Sequence, residues 1–267
     1  MLIQCHCASV LLVNLMSKYH TVTSLRRTED IPLAISRGRI SGHHLVTISG
    51  AVITTTTDST VWNNGGIYAY PSSASTMTAS SSSASDTGVL FISGLDANYN
   101  AISEYITLTG QTPVTTTKSY LRINNLNLVS GNANVGNIYV GVGAVTTGVP
   151  ATVYGEIVAT NVNSLQGFYT VPANYDAYVY YGSIASGSTA SNKYVTGKLM
   201  ARPYGAPMGV LLRTTLAAGI NAFNFAVPLK VPAKSDIEAR AVSSSGTDDV
   251  GVIIQLVLVH HDDGVFE

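Results

Sequence analysis

From Leu45 onward, runs of β-branched and aromatic residues recur about every ten residues, each closed by Gly, Asn, Asp or Pro. That spacing is too short for strands linked by helical crossovers, and no long segment keeps a helical period. The chain is therefore expected to be mainly β, an antiparallel β-sandwich or jelly roll. Composition supports this. Only 11% of the 267 residues are charged, against about 25% in ordinary soluble domains. Ser and Thr supply roughly a fifth of the chain and must carry much of its surface polarity. A helical bundle would draw instead on Ala, Leu, Glu, Lys and Arg, while a mean hydropathy of +0.25 opposes disorder.

Several segments carry the reading locally. VLFISGLDANYNAISEYITLTG (89–110) is a hairpin with its turn at Asp96-Ala97-Asn98. In YLRINNLNLVS (120–130), apolar Leu121, Ile123 and Leu126 interleave with polar Arg122 and Asn124, as suits a strand with one face on a core. Asn63-Asn64-Gly65-Gly66 is a tight turn. The Ser/Ala/Thr-rich stretch 72–86 is either a solvated loop or a β edge. Tyr175, Tyr178, Tyr180 and Tyr181 are cross-strand packing partners rather than a ligand cage. Pro228 and Pro232 mark an edge strand, because proline cannot donate to a central ladder.

The expected organisation is an N-terminal arm over 1–40, a β module over 41–148 and a second over 149–267. The boundary falls at Gly148-Val149-Pro150. Residues 17–40 hold Lys18, Arg26, Arg27, Arg37 and Arg39 against Glu29 and Asp30, five minus two, or +3. With a net charge of -1, the remainder sums to -4. Such an arm suits docking on a neighbouring copy or an acidic partner; a solvated strand and loop is the plainer alternative. Met16 opens an ordinary-looking start, so 1–15 is expected to be a start-site extension. It lacks the basic n-region of a signal peptide.

Chemistry is sparse. Cys5 and Cys7 are too close to staple a fold. Gly141–Val145, GVGAV, lacks the third glycine and helix of a dinucleotide loop. Asp248-Asp249 and Asp262-Asp263 are adjacent pairs, and neighbours on a strand point to opposite faces. The doublets His43-His44 and His260-His261 supply one metal ligand each at most, unless a trimer axis gathers copies. No catalytic, cofactor-binding or metal residue is therefore assigned. A pI near 6.6 argues against nucleic acid, and no run reaches the ~18 apolar residues of a membrane helix.

Four passages of this sequence have a familiar succession. They are VWNNGGIYAYPSSAS (61–75), SGLDANYNAISEYITLTGQTPVTTTKSYLRINNLNLVSG (93–131), FYTVPANYDAYV (168–179) and VPLKVPAKSDIEARAVSSSGTDDVGVIIQLVLV (227–259). Together they resemble tailed-bacteriophage virion structural proteins, of capsid cement, decoration or tail accessory type. The resemblance implies a non-enzymatic, β-rich homo-oligomer, a trimer by preference, without cofactor. It would be assembled in the host cytoplasm on the major capsid protein or other virion proteins. The arm cations Lys18, Arg26, Arg27, Arg37 and Arg39 are then the expected partner-binding residues. Two alternatives stand beside this. A tail-associated receptor or glycan binder would use Trp62, Tyr68 and Tyr70 in an exposed aromatic groove. A glycan-active enzyme would need carboxylates about 5 to 9.5 Å apart.

Overall fold

The computed structural model describes residues 30–131, 133–187 and 192–261. Of the arm, only its end is described. There, a six-residue helix α1 (Ile31–Ser36) starts on Pro32 and buries Ala34 near the first strand, where a strand and loop was the plainer expectation. Arg37 and Arg39 follow it and are exposed; Lys18, Arg26 and Arg27 lie outside the described residues, as do Cys5, Cys7, Asp262 and Asp263.

The rest is antiparallel sheet, as expected. One pair of sheets is made from the two ends of the chain. β1 (His43–Thr54), β16 (Asp248–His260), β11 (Tyr175–Ser186) and β14 (Gly219–Val231) lie side by side in that order. Facing them, β15 (Asp236–Ser243) is flanked by β12 (Val195–Arg202) and then β13 (Gly209–Leu216). The short β2 (Ser59–Thr60) and β10 (Phe168–Thr170) pair along its other side. Alternation explains the packing. In β16, Val250, Val252, Ile254, Leu256 and Leu258 point inward, and Ile237, Ala239 and Ala241 of β15 meet them in one apolar core.

A second unit is spliced into this body between β2 and β10. β6 (Val114–Tyr120), β3 (Ser75–Ser81), β8 (Ile138–Thr146) and β9 (Val149–Ile157) form one sheet. β5 (Ala101–Thr107), β4 (Val89–Leu95) and β7 (Arg122–Ser130) form the other. Leu90, Ile92, Ile123, Leu126, Ile138 and Ile157 belong to the core they share. The expected hairpin is β4–β5, and Pro228 sits in β14, an edge strand as expected.

Strand pairing does not follow a cut at residue 148. Gly148 is the turn glycine of the β8–β9 hairpin, with φ +80 and the Ser81 carbonyl so close that a Cβ would collide. β1, assigned by sequence to the first module, pairs with β16 over its whole length. The Ser-rich stretch 72–86 is loop at both ends, but its middle, 75–81, is neither loop nor edge. β3 lies between β6 and β8, with Ser80 and Ser81 fully buried. Ser80 Oγ donates to the Gly148 carbonyl at 2.9 Å and Ser81 Oγ to Asp86 at 2.5 Å, so each buried hydroxyl is satisfied.

The segments leaving and re-entering the body run antiparallel, with Gly167 N donating to Val61 O at 2.7 Å and Trp62 bridging Gln166. Gly50 of β1 passes under this neck, where any side chain would strike the Val61 carbonyl.

Candidate functional site

The inserted unit docks on the body through β7, and polar groups make the joint. Asn124 Nδ2 donates to Thr170 O at 2.9 Å and Asn124 Oδ1 accepts from Thr170 N at 3.0 Å. Gln166 Nε2 donates to Ile123 O at 3.1 Å. Beside these bonds lies an ion cluster that no sequence motif signalled. Arg122, expected to face solvent, is 5% exposed. Its Nε and Nη2 reach the two oxygens of Asp236 at 2.8 and 3.3 Å, and its Nη1 donates to the carbonyls of Pro71 and Leu121. Arg202 Nε donates to the same carboxylate at 2.9 Å, and Thr170 Oγ1 at 2.5 Å. Burial alone would lower the Arg122 pKa, yet the Asp236 hydrogen bonds and charge carry it above its ordinary value.

This cluster floors a cleft of about 590 Å³ whose walls include Tyr70, Tyr99, Tyr204 and Lys234. Arg202 lies over the Tyr70 ring at 4.4 Å and Arg122 at 5.1 Å. Lys234 Nζ sits 5.9 Å from the Tyr99 centroid and 5.4 Å from that of Tyr204, and the two rings meet edge to face at 5.7 Å. Local sequence places each wall. Asp96 Oδ1 accepts from the amides of Asn98 and Asn100 and closes the β4–β5 turn that presents Tyr99. Gly205, with φ +76, turns the chain after Tyr204 between β12 and β13. Burial, and secondarily Glu238, raises the Tyr70 phenol well above its ordinary pKa, so it stays a neutral donor to Glu238 at 3.2 Å.

A second cavity, of about 510 Å³, lies between the two units against β1. Its lining includes Ser49, Ser93, Asn124, Asn127 and Gln166 and contains no charged residue.

The aromatic residues expected to form an exposed groove do not. Trp62 and Tyr68 are buried at the neck, where Tyr68 stacks on Phe168 at 4.0 Å and Trp62 meets Tyr68 edge-on at 5.1 Å. Trp62 Nε1 is spent on the Gly65 carbonyl and Tyr68 Oη on that of Tyr154. Only Tyr70 reaches a cleft. The acidic pair splits to opposite faces, as expected of neighbours on a strand. Asp249 is exposed, but Asp248 is buried in β16 with Ser186 Oγ at 3.1 Å and Lys193 at 3.4 Å. His44 and His260 flank Tyr175 at 5.6 and 4.9 Å between ring centroids. Among the described residues no three His, Cys, Asp or Glu converge as metal ligands.

The remaining feature is a surface. β13 and β14 are consecutive strands at the open edges of the two body sheets. From Gly209 to Val231 they carry only Arg213 and Lys230 as charges. They expose Val210, Leu211, Ile220 at 68% and Val227 at 80%.

No family model matches the chain, and no curated protein matches it. Similar solved structures include the infectious bursal disease virus VP2 subviral particle, at 9% identity over 83% of this chain and 73% of that one, with a TM-score of 0.21. The structure of the Gx strain of that virus is similar at 11% identity over 84% and 72%, with a TM-score of 0.23. A Bacillus thuringiensis Cry1Da tryptic core variant is similar at 10% identity over 83% and 52%, with a TM-score of 0.18.

Proposed function

We propose that this chain is a non-enzymatic virion structural protein, a capsid cement or decoration protein that binds the head shell and self-associates through β13 and β14. The observation that carries the reading is that open, nearly uncharged edge. Two neighbouring sheet margins with unpaired backbone and exposed Val and Ile are an invitation to association that soluble monomers ordinarily blunt with charge. A second copy covers it best, in a closed ring where the edge of one protomer meets another face of the next; a trimer is the smallest such ring beyond a dimer. Few ions then need to be desolvated.

The body's strand order supports the reading. β1-β16-β11-β14 facing β15-β12-β13, with the short β2 and β10 sharing the place on the other side of β15, is the order we assign to a jelly roll, an architecture used by capsid and lectin domains. Fold alone does not give function, and the virion assignment also leans on the sequence resemblance. The partners are the major capsid protein or other virion proteins, and the place of action is the assembled particle. Cryo-electron microscopy of such particles is the test. Density for this chain on head facets, with β13 and β14 against another chain, is expected. Density on the tail would replace the cement role by a tail-associated one, and absence from particles would overturn both.

A further inference from the structure

We propose that the cleft walled by Tyr99, Tyr204 and Lys234 binds an acidic saccharide, a sugar whose carboxylate sits between Lys234 and Arg202 while its ring lies on Tyr204. Charge is scarce in this chain, with 14 Lys and Arg in 267 residues. Three of them, Arg122, Arg202 and Lys234, line this one cleft against the single carboxylate of Asp236, three minus one, or +2. The neighbouring cavity of similar volume has no charged residue in its lining, and beside it the two units are joined by the uncharged Asn124 and Gln166. Docking the units therefore does not require this concentration.

The cations divide by role. Arg122 makes four hydrogen bonds, two to Asp236 and two to backbone carbonyls. Arg202 commits Nε and Nη2 to Asp236 and leaves Nη1 unpartnered among the described residues, so one end of its fork can take a carboxylate. The Lys234 ammonium has no hydrogen bond or ion pair among them, only the faces of Tyr99 and Tyr204.

Backbone strain marks the same two positions. Among the described residues, four non-glycine residues have left-handed backbone, and Tyr99 (φ 65) and Lys234 (φ 61) are two of them. Such backbone persists only where the surroundings impose it. The surroundings do: Tyr99 O accepts from Ala173 N at 2.9 Å, and Lys234 N donates to Val171 O at 3.0 Å. The result aims an ammonium and a phenol ring into one cleft.

The ligand class follows from the walls. The guanidinium end and the ammonium suit a carboxylate. Tyr204, 68% exposed, offers a ring face at the rim, and the exposed Ser72 and Ser73 supply hydroxyl partners for sugar hydroxyls. A volume of about 590 Å³ lies within the range of small-ligand sites and accommodates two or three sugar units.

The test is calorimetric titration of the full chain with galacturonic and glucuronic acid trisaccharides, with neutral galactotriose and inorganic phosphate as controls. At least one acidic trisaccharide should bind with sub-millimolar affinity, at least about tenfold tighter than galactotriose or phosphate. Lys234→Asn keeps a residue tolerant of left-handed backbone and should weaken binding about tenfold, as should Tyr204→Ala, both with unchanged circular dichroism. Rising salt should weaken binding as well. No heat from either acid at about 10 mM, equal binding of the neutral sugar, tighter binding of phosphate, or indifference to Lys234→Asn would each overturn the proposal.

Discussion

Two regions of this molecule depart from the ordinary distribution of charge and grease, in opposite directions. At the junction between inserted unit and body, ions are buried; along β13 and β14, aliphatic side chains are exposed. The buried carboxylate at the junction is satisfied from within the chain. Asp236, 2% exposed, accepts from Arg122, Arg202 and Thr170, and Arg122 spends its remaining donors on backbone carbonyls. The edge is incomplete, since its apolar side chains and outer backbone groups meet no described partner strand. Polar groups that satisfy one another inside the chain hold a fixed geometry. Apolar groups left outside it require another molecule.

Substitutions can break either side of this contrast. Asp236→Ala should have the largest effect, stranding Arg122 beside Arg202 with no compensating anion. About 3–5 kcal/mol should be lost in urea denaturation. Asn124→Ala removes a reciprocal pair of bonds to Thr170 and should cost about 1 kcal/mol in the same assay. Val227→Asp lies on the incomplete side and should move monomer stability by less than about 0.5 kcal/mol. Its consequence should appear in association instead.

The smallest expected effect is on pH dependence. Burial works against ionisation of Asp176, but hydrogen bonds from Lys230, the Ala233 amide and His261 more than offset it, and the carboxyl lies below its ordinary 3.8. A depressed carboxylate stabilises the fold above its unfolded value, and that contribution disappears as pH falls through the folded one. The Asp176 bond to Lys230, at 2.8 Å, pins β14 to β11. Hydrogen exchange of β14 amides should therefore rise in acid below about pH 4, and Asp176→Asn should show the faster exchange already at neutral pH.

What the sequence made legible was local. The β4–β5 hairpin, β7 and the edge position of Pro228 rest on turn residues and alternation within a few positions. The body was not legible as a unit, because β1 finds its partner through Thr54 opposite Asp248, with the whole inserted unit between them. β3 was obscured for a different reason. Buried serines satisfied by backbone carbonyls and Asp86 look, in sequence, like solvated serines. Arg122 followed the alternation of a half-buried strand, and only docking of the second unit turns its outer face into an interior. Trp62 and Tyr68 carried an aromatic signal that is equally that of a neck core. Asp236 belonged to no motif, and its partners are 114 and 34 residues away.

The most direct measurement is sedimentation velocity of the purified chain beside its Ile220→Asp and Val227→Asp variants. A closed oligomer is expected for the parent, with three copies of 28.0 kDa the favoured assembly. Both variants should run as folded monomers with unchanged circular dichroism. A parent chain that sediments as a monomer at about 10 µM, with β14 amides exchanging freely, would contradict the account.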